Sequence, residues 1–164
     1  MKKALLILYL LCIYTLAGCP PSIPNKLRFE FLCEKAKFEE EIYYKQFTIE
    51  LFKQALYFQE IENPGIVFRQ AVLETANFAS ELFEKAFNCF GMRRAFARPC
   101  PAVGDYLFHA QYFHWYDSVR DYKLWQEYRK ANGWILDDYF AFLWGVGYAE
   151  DSYYIDKLKQ IDII

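Results

Sequence analysis

Between Asn25 and Glu62 the chain carries neither glycine nor proline, and Leu27, Phe31, Phe38, Ile42, Phe47, Leu51 and Leu56 recur at helical spacing. With no breaker and an apolar residue every three to five positions, the stretch predicts one long helix or two helices with a bend. Asn63-Pro64-Gly65 stops it. A second helix is expected from about Gly65 to Phe78, with Ile66, Val67, Ala71 and Val72 inward, and a short third from Ser80 with Leu82, Phe83 and Phe87. The texture changes between Phe90 and Ala110, where Gly91, Pro99, Pro101 and Gly104 break any helix and Tyr106, Phe108 and Ala110 alternate with Leu107 and His109 as in a strand. Helical spacing returns at Asp117 to Ala131, Ile135 to Trp144 and Ser152 to Ile161. The expected fold class is therefore α+β, mostly α, with an irregular insert or hairpin in the middle.

At 164 residues there is room for one globular unit, and 24% charged against 55% apolar residues supports a packed core. Aromatics reach 21%, enough to fill a core or to line a groove for sugar rings. A net charge of −2 and the lack of any Lys/Arg cluster exclude nucleic acid as a partner. The beginning of the chain reads as an address. Met1-Lys2-Lys3 precedes thirteen uncharged residues from Ala4 to Leu16, too few to span a bilayer as a helix, and Leu16-Ala17-Gly18-Cys19 resembles the bacterial lipoprotein box. Residues 1–18 are thus expected to be a signal peptide and Cys19 the lipidated residue, anchored to membrane in the bacterial cell envelope after export. Residues 19–24, with Pro20, Pro21 and Pro24, form a stiff tether. Losing Lys2 and Lys3 takes the net charge from −2 to −4. Cys33, Cys89 and Cys100 remain; Cys89 and Cys100 share a loop-rich stretch, so either they form a disulfide or they stay as free thiols.

Glu74 is the first chemical candidate. It lies near the C-terminal end of its helix with Leu73, Ala76 and Phe78 around it. Apolar surroundings raise a carboxyl pKa and can make it a proton donor near neutral pH. One such Glu is weak evidence; the neighbouring segments strengthen it. Gln70-Ala71-Val72-Leu73-Glu74-Thr75 with Ser80, Asn88-Cys89-Phe90-Gly91-Met92-Arg93, Trp115 with Ser118-Val119-Arg120-Asp121-Tyr122, and Gly147-Tyr148-Ala149-Glu150-Asp151 with Tyr154 and Lys157-Leu158 follow one another in order. Together they resemble the glucosaminidase family, glycoside hydrolase family 73, over roughly Pro64 to Ile161.

The resemblance implies a lysozyme-like fold, in which a helical lobe and a small β-containing lobe flank a cleft. It implies a peptidoglycan hydrolase that cuts β-1,4 bonds next to N-acetylglucosamine, with Glu74 as general acid and Tyr148 near the cleft, bonded to the carboxyl or to the sugar. Asp151 would cap the last helix, and Phe90 and Gly91 would turn the chain into the second lobe and contact substrate. Trp115 is a further expected substrate contact. Ala76 and Phe78 stand where many members have glycine, Phe87 replaces an Asn, and Glu150 replaces a Thr. A glycosidase usually needs a second group. Asp105 is the first choice, Asp117 follows, and the substrate's own N-acetyl group is a third route. The remaining chemistry is negative. His109 and His114 are five apart and form no zinc pair, no cysteine has a local His signature, and no phosphate loop occurs, so neither metal nor cofactor is expected. The domain plan is residues 25–62 as an N-terminal helical segment able to dock a protein partner, and 63–164 as the catalytic domain. The runner-up reading is a catalytically silent lysozyme-like lipoprotein that binds glycan or a partner.

Overall fold

A computed structural model describes residues 25–162. The signal segment, Cys19 and the 19–24 tether lie outside the described residues. The chain divides into two compact units between Glu41 and Ile42. The first contributes one described helix, α1 (Asn25–Glu41). The second begins with a 3₁₀ turn, Ile42–Tyr44, and α2 (Ile49–Phe58). The expected long segment is thus two helices, and α2 packs on the third and fifth helices within the second unit.

Local chemistry sets the starts. Thr48 accepts from Leu51 N at 3.1 Å, Ser80 from Phe83 N at 3.2 Å and Asp138 from Ala141 N at 3.1 Å, each satisfying a free N–H of a first turn. Pro64 opens α3 (Pro64–Glu74), where its missing N–H is not needed. Thr48, Ser80 and Asp138 begin α2, α4 (Glu81–Ala86) and α6 (Tyr139–Gly145). His114 caps α5 (Trp115–Ala131) through Nδ1, and α7 spans Tyr154–Gln160. Asp151 sits before α7 rather than at its N-cap; it accepts from Tyr153 N at 2.9 Å and pairs with Lys157.

The expected hairpin forms from β1 (Gly104–Tyr106) and β2 (His109–Gln111), antiparallel, with Asp105 opposite Ala110 and Tyr106 opposite His109. Its two-residue turn, Leu107-Phe108, has φ of 48° and 65°, the mirror-image geometry that matches strand twist. Seven helices and this one small sheet, among the described residues, give the α+β, lysozyme-like architecture that the resemblance implies. The core is aromatic. Phe47 contacts Phe52, Phe78, Phe83 and Trp115, and Phe52 reaches Phe68 and Phe90. Each ring so buried contributes on the order of 1.5–3 kcal/mol.

Helix α3 ends at Glu74 rather than at Phe78. Thr75 donates its hydroxyl to Ala71 O at 2.6 Å and accepts from Phe78 N at 2.8 Å, while Ala76, Asn77 and Phe78 take φ of 48°, 60° and 61°. Three consecutive left-handed residues reverse the chain, and Glu74 is left at the last position of its helix.

Candidate active site

Glu74 lines a cavity of about 690 Å³, with Phe90, Gly91, His109 and Tyr148 among its neighbours there. That volume falls within the range of small-molecule sites. Its carboxyl is half-buried, and loss of solvation raises its pKa above the ordinary 4.5. A hydrogen bond from Tyr154 and the nearby His109 pull the other way without cancelling the rise.

Behind the carboxyl runs a buried polar chain with a fixed direction. Gln126 exchanges two bonds with the backbone of Glu62, accepting from its N at 2.9 Å and donating to its O at 2.9 Å. Backbone N–H and C=O cannot swap roles, so the amide of Gln126 has one orientation. Its second N–H donates to Tyr139 Oη, Tyr139 donates to Tyr122 Oη at 2.8 Å, and Tyr122 donates to Gln70 Oε1 at 2.6 Å. Gln70 Nε2 donates to Tyr154 Oη at 3.2 Å, and Tyr154 donates to Glu74 Oε1 at 2.8 Å. Burial pushes the Tyr122, Tyr139 and Tyr154 hydroxyls far above their usual range, so they keep their protons. From Gln126 through Tyr154 each link therefore donates toward Glu74, and Oε1 is the accepting oxygen, which leaves Oε2 as the oxygen that carries the proton when the acid is protonated.

Oε2 faces Gly91. A Cβ at that position would come within 2.8 Å of Oε2, and the glycine has φ of 63°. Both the space and the dihedral call for glycine. Asn88, fully buried, builds this turn: its Nδ2 donates to Met92 O and Ala110 O, and its Oδ1 accepts from Phe90 N and Met92 N. All the hydrogen-bonding capacity of the side chain is spent on ordering residues 88–92 against β2.

The other expected site residues divide. Gly91 lies beside the carboxyl, and Phe90 lines the wall, with its ring packed on Tyr122 at 4.3 Å. Tyr148 also lines the cavity, but its hydroxyl donates to Phe90 O at 2.8 Å rather than to Glu74, and its ring stacks on Tyr154. Tyr154 makes the carboxyl contact expected of Tyr148. Trp115 is 2% exposed and packs on Phe47 and Phe52, so it is a core ring and not a sugar platform. Asp105 is exposed on β1 with Arg94 at 4.0 Å and does not line the cavity; from the hairpin, His109 does. Glu150 is the second carboxylate among the lining residues. Asp117 is bonded to Tyr43 and Arg120 instead. Cys33, Cys89 and Cys100 are free thiols, and the Cys89–Cys100 disulfide is not formed. The thiol of Cys89 is sealed in the core, 3.7 Å from Trp115 O, and burial pushes its pKa up.

Residues 51–162 match a family model, Glucosaminidase, described as mannosyl-glycoprotein endo-beta-N-acetylglucosaminidase. No curated protein and no solved structure matches the chain. The matched span covers more than half of the sequence and takes in Glu74, the 88–92 turn, the hairpin and Tyr154. By that match the chain belongs to the glucosaminidase family of glycoside hydrolases.

Proposed function

We propose that the protein is a peptidoglycan hydrolase that cleaves β-1,4 glycosidic bonds next to N-acetylglucosamine, with Glu74 as general acid. The observation that carries this reading is the state of Glu74: a half-buried carboxyl, raised in pKa, whose Oε1 is held by Tyr154 and whose Oε2 opens on the cavity beside Gly91. A carboxyl whose pKa is raised by burial holds its proton to higher pH, which is what protonation of a glycosidic oxygen needs. The Oε2 proton passes to that oxygen as the bond to the anomeric carbon breaks, and the electron pair leaves with the oxygen. The Tyr154 hydrogen bond then stabilises the carboxylate formed. Glu150 shares the cavity and takes the second role, stabilising the oxocarbenium-like centre or activating water. The residues before the described region support export and lipid anchoring through Cys19 in the bacterial cell envelope.

The test is release of reducing ends from purified sacculi by wild type, Glu74→Gln and Glu150→Gln. Loss with Glu74→Gln, at unchanged helical signal, supports the acid. Undiminished activity in Glu150→Gln moves the second role to the N-acetyl group of the substrate. If wild type releases nothing, the protein is a silent glycan-binding lipoprotein. Thermal melting adds a pH check. Above pH 4.5 the unfolded carboxyl ionises while the folded one keeps its proton, so wild-type stability falls as pH rises toward the folded pKa. The melting-temperature advantage of Glu74→Gln should therefore grow as pH rises from 4.5 toward the folded pKa.

A further inference from the structure

One wall of the cavity has no regular structure. Arg93, Ala95, Phe96, Ala97 and Arg98 line it. Met92 O accepts from Ala110 N at 2.8 Å and Val103 N donates to Gln111 O at 2.8 Å, but between them residues 93–102 make no backbone–backbone hydrogen bond among the described residues. A segment without a helix or ladder is open to local unfolding unless side chains tie it down. Two arginines do so. Arg94 lies 4.0 Å from Asp105, with both groups exposed, and water screens such a contact. Arg98 turns inward. Its side chain, 5% exposed, ion-pairs with that of Asp121 on α5, 0% exposed, and its Nη1 also donates to Pro99 O at 2.9 Å. Tyr112, just after β2, donates to the other oxygen of Asp121 at 2.8 Å. Segment, hairpin and α5 thus meet at one carboxylate, beside Tyr122 of the polar chain and one turn before Trp125 of the cavity wall. An ion pair so buried gains little over apolar groups of the same volume, yet breaking it strands a charge in the core. What it supplies is one fixed geometry.

We propose that Arg98 and Asp121 are positioning residues: their pair clamps residues 93–98 into the cavity wall and so sets how tightly substrate is held, without touching the reacting atoms. The inference rests on the glycosidase reading for its kinetic half alone. With the clamp in place the wall is preformed. Without it, binding has to order the segment, and apparent affinity falls by the fraction of molecules in which the wall is formed. Arginine suits the position because its planar fork reaches Asp121 and Pro99 O together, which an ammonium on a flexible stem does less well.

The test compares the full chain with Arg98→Lys and with Arg98→Met combined with Asp121→Asn. The double variant removes both charges at once, and Asn keeps an oxygen for the Tyr112 hydroxyl, so nothing charged is left alone in the core. Limited digestion with trypsin reads the wall directly, because Arg93 and Arg94 are exposed within it. Cutting after these two residues follows the population of the opened segment and is expected to speed up about 10-fold in the double variant. Cutting after Lys130, at the end of α5, reports wider unfolding and should not speed up. Kinetics on soluble peptidoglycan glycan strands give the second readout. A clamped fraction of about one tenth raises KM about 10-fold, while kcat changes by less than about 2-fold. Arg98→Lys should lie between wild type and the double variant in both readouts. Unchanged cutting after Arg93 and Arg94, or a fall in kcat at constant KM, overturns the clamp. Should the double variant lose its helical signal, Arg98→Lys decides by the same two readouts. Should wild type release no reducing ends, the hydrolase reading fails, and the trypsin comparison alone upholds or overturns the clamp.

Discussion

Two tight turns flank Glu74, and they solve the same problem in opposite ways. The turn at 88–92 places a glycine where the chain goes left-handed, and Asn88 ties it down with four hydrogen bonds. The turn at 75–78 goes left-handed three times in succession with no glycine, tied by Thr75 alone among the side chains. A left-handed residue with a side chain is strained by roughly 1–3 kcal/mol. The difference lies in what occupies the outside of each bend. At Gly91 it is the Glu74 carboxyl, and no side chain fits. At Phe78 it is a pocket of rings, Phe47, Phe52, Phe68 and Phe83, that the phenyl group fills. Space for chemistry forbids a side chain in one turn; packing holds a strained one in the other.

The largest effect should come from removing that packing. Phe78→Gly relieves one strained dihedral but deletes a ring with four aromatic contacts, and a net loss of about 2–4 kcal/mol is expected in denaturant melts. A gain in stability would mean that the strain outweighs the ring. The complementary change, Gly91→Ala, drives a Cβ against Glu74 Oε2 and displaces the carboxyl. Its cost should fall on turnover, about 100-fold for a misplaced reacting group, with about 1 kcal/mol of stability from the left-handed dihedral. Stability loss without the kinetic defect would show that Oε2 has freedom to move aside.

The direction of the polar chain gives a sharper test of why Glu74 sits between the two turns as it does. Tyr154→Phe removes a hydrogen bond that favours the ionised carboxyl, so the pKa of Glu74 rises further. The alkaline limb of the kcat profile should then move to higher pH, with turnover reduced about 10-fold at the optimum, less than the roughly 100-fold or more that loss of the proton donor itself would cost. Gln70→Leu, one step back, should shift the limb in the same direction by less. An unmoved limb in both variants would reduce the chain to scaffolding.

How much of this is legible in the sequence follows from the kind of information each feature needs. The helices show through spacing and through Ser80 and Pro64, which act on residues three or four positions away. Glu74 and Gly91 stand in ordered motifs. Tyr148 and Tyr154 stand in one motif, six residues apart, but which hydroxyl reaches Glu74 depends on the seating of α7 on α3. Asp105 and Glu150 are equivalent as letters; the hairpin register and the α6–α7 connection decide which one lines the cavity. Trp115 illustrates the same limit, since an aromatic residue looks alike in a core and in a groove. His109 carries no local signal beyond its spacing from His114, and only the hairpin turns it toward the cavity. The end of α3 falls before the expected Phe78 because no glycine marks the left-handed bend.

The smallest expected effect addresses that missing glycine. Ala76 is exposed, has φ of 48°, and makes none of the ring contacts that compensate Phe78. Ala76→Gly removes the steric penalty of the left-handed conformation, which for a methyl side chain is about 1 kcal/mol. It also adds freedom to the unfolded chain, so a net stabilisation of about 0.5 kcal/mol is expected in denaturant melts. Turnover should not change, because the side chain is absent from the cavity wall. A destabilisation would mean that this bend, unlike the one at Gly91, draws support from Ala76 itself, and that strain at 76–78 is held by all three residues rather than by the packing of Phe78.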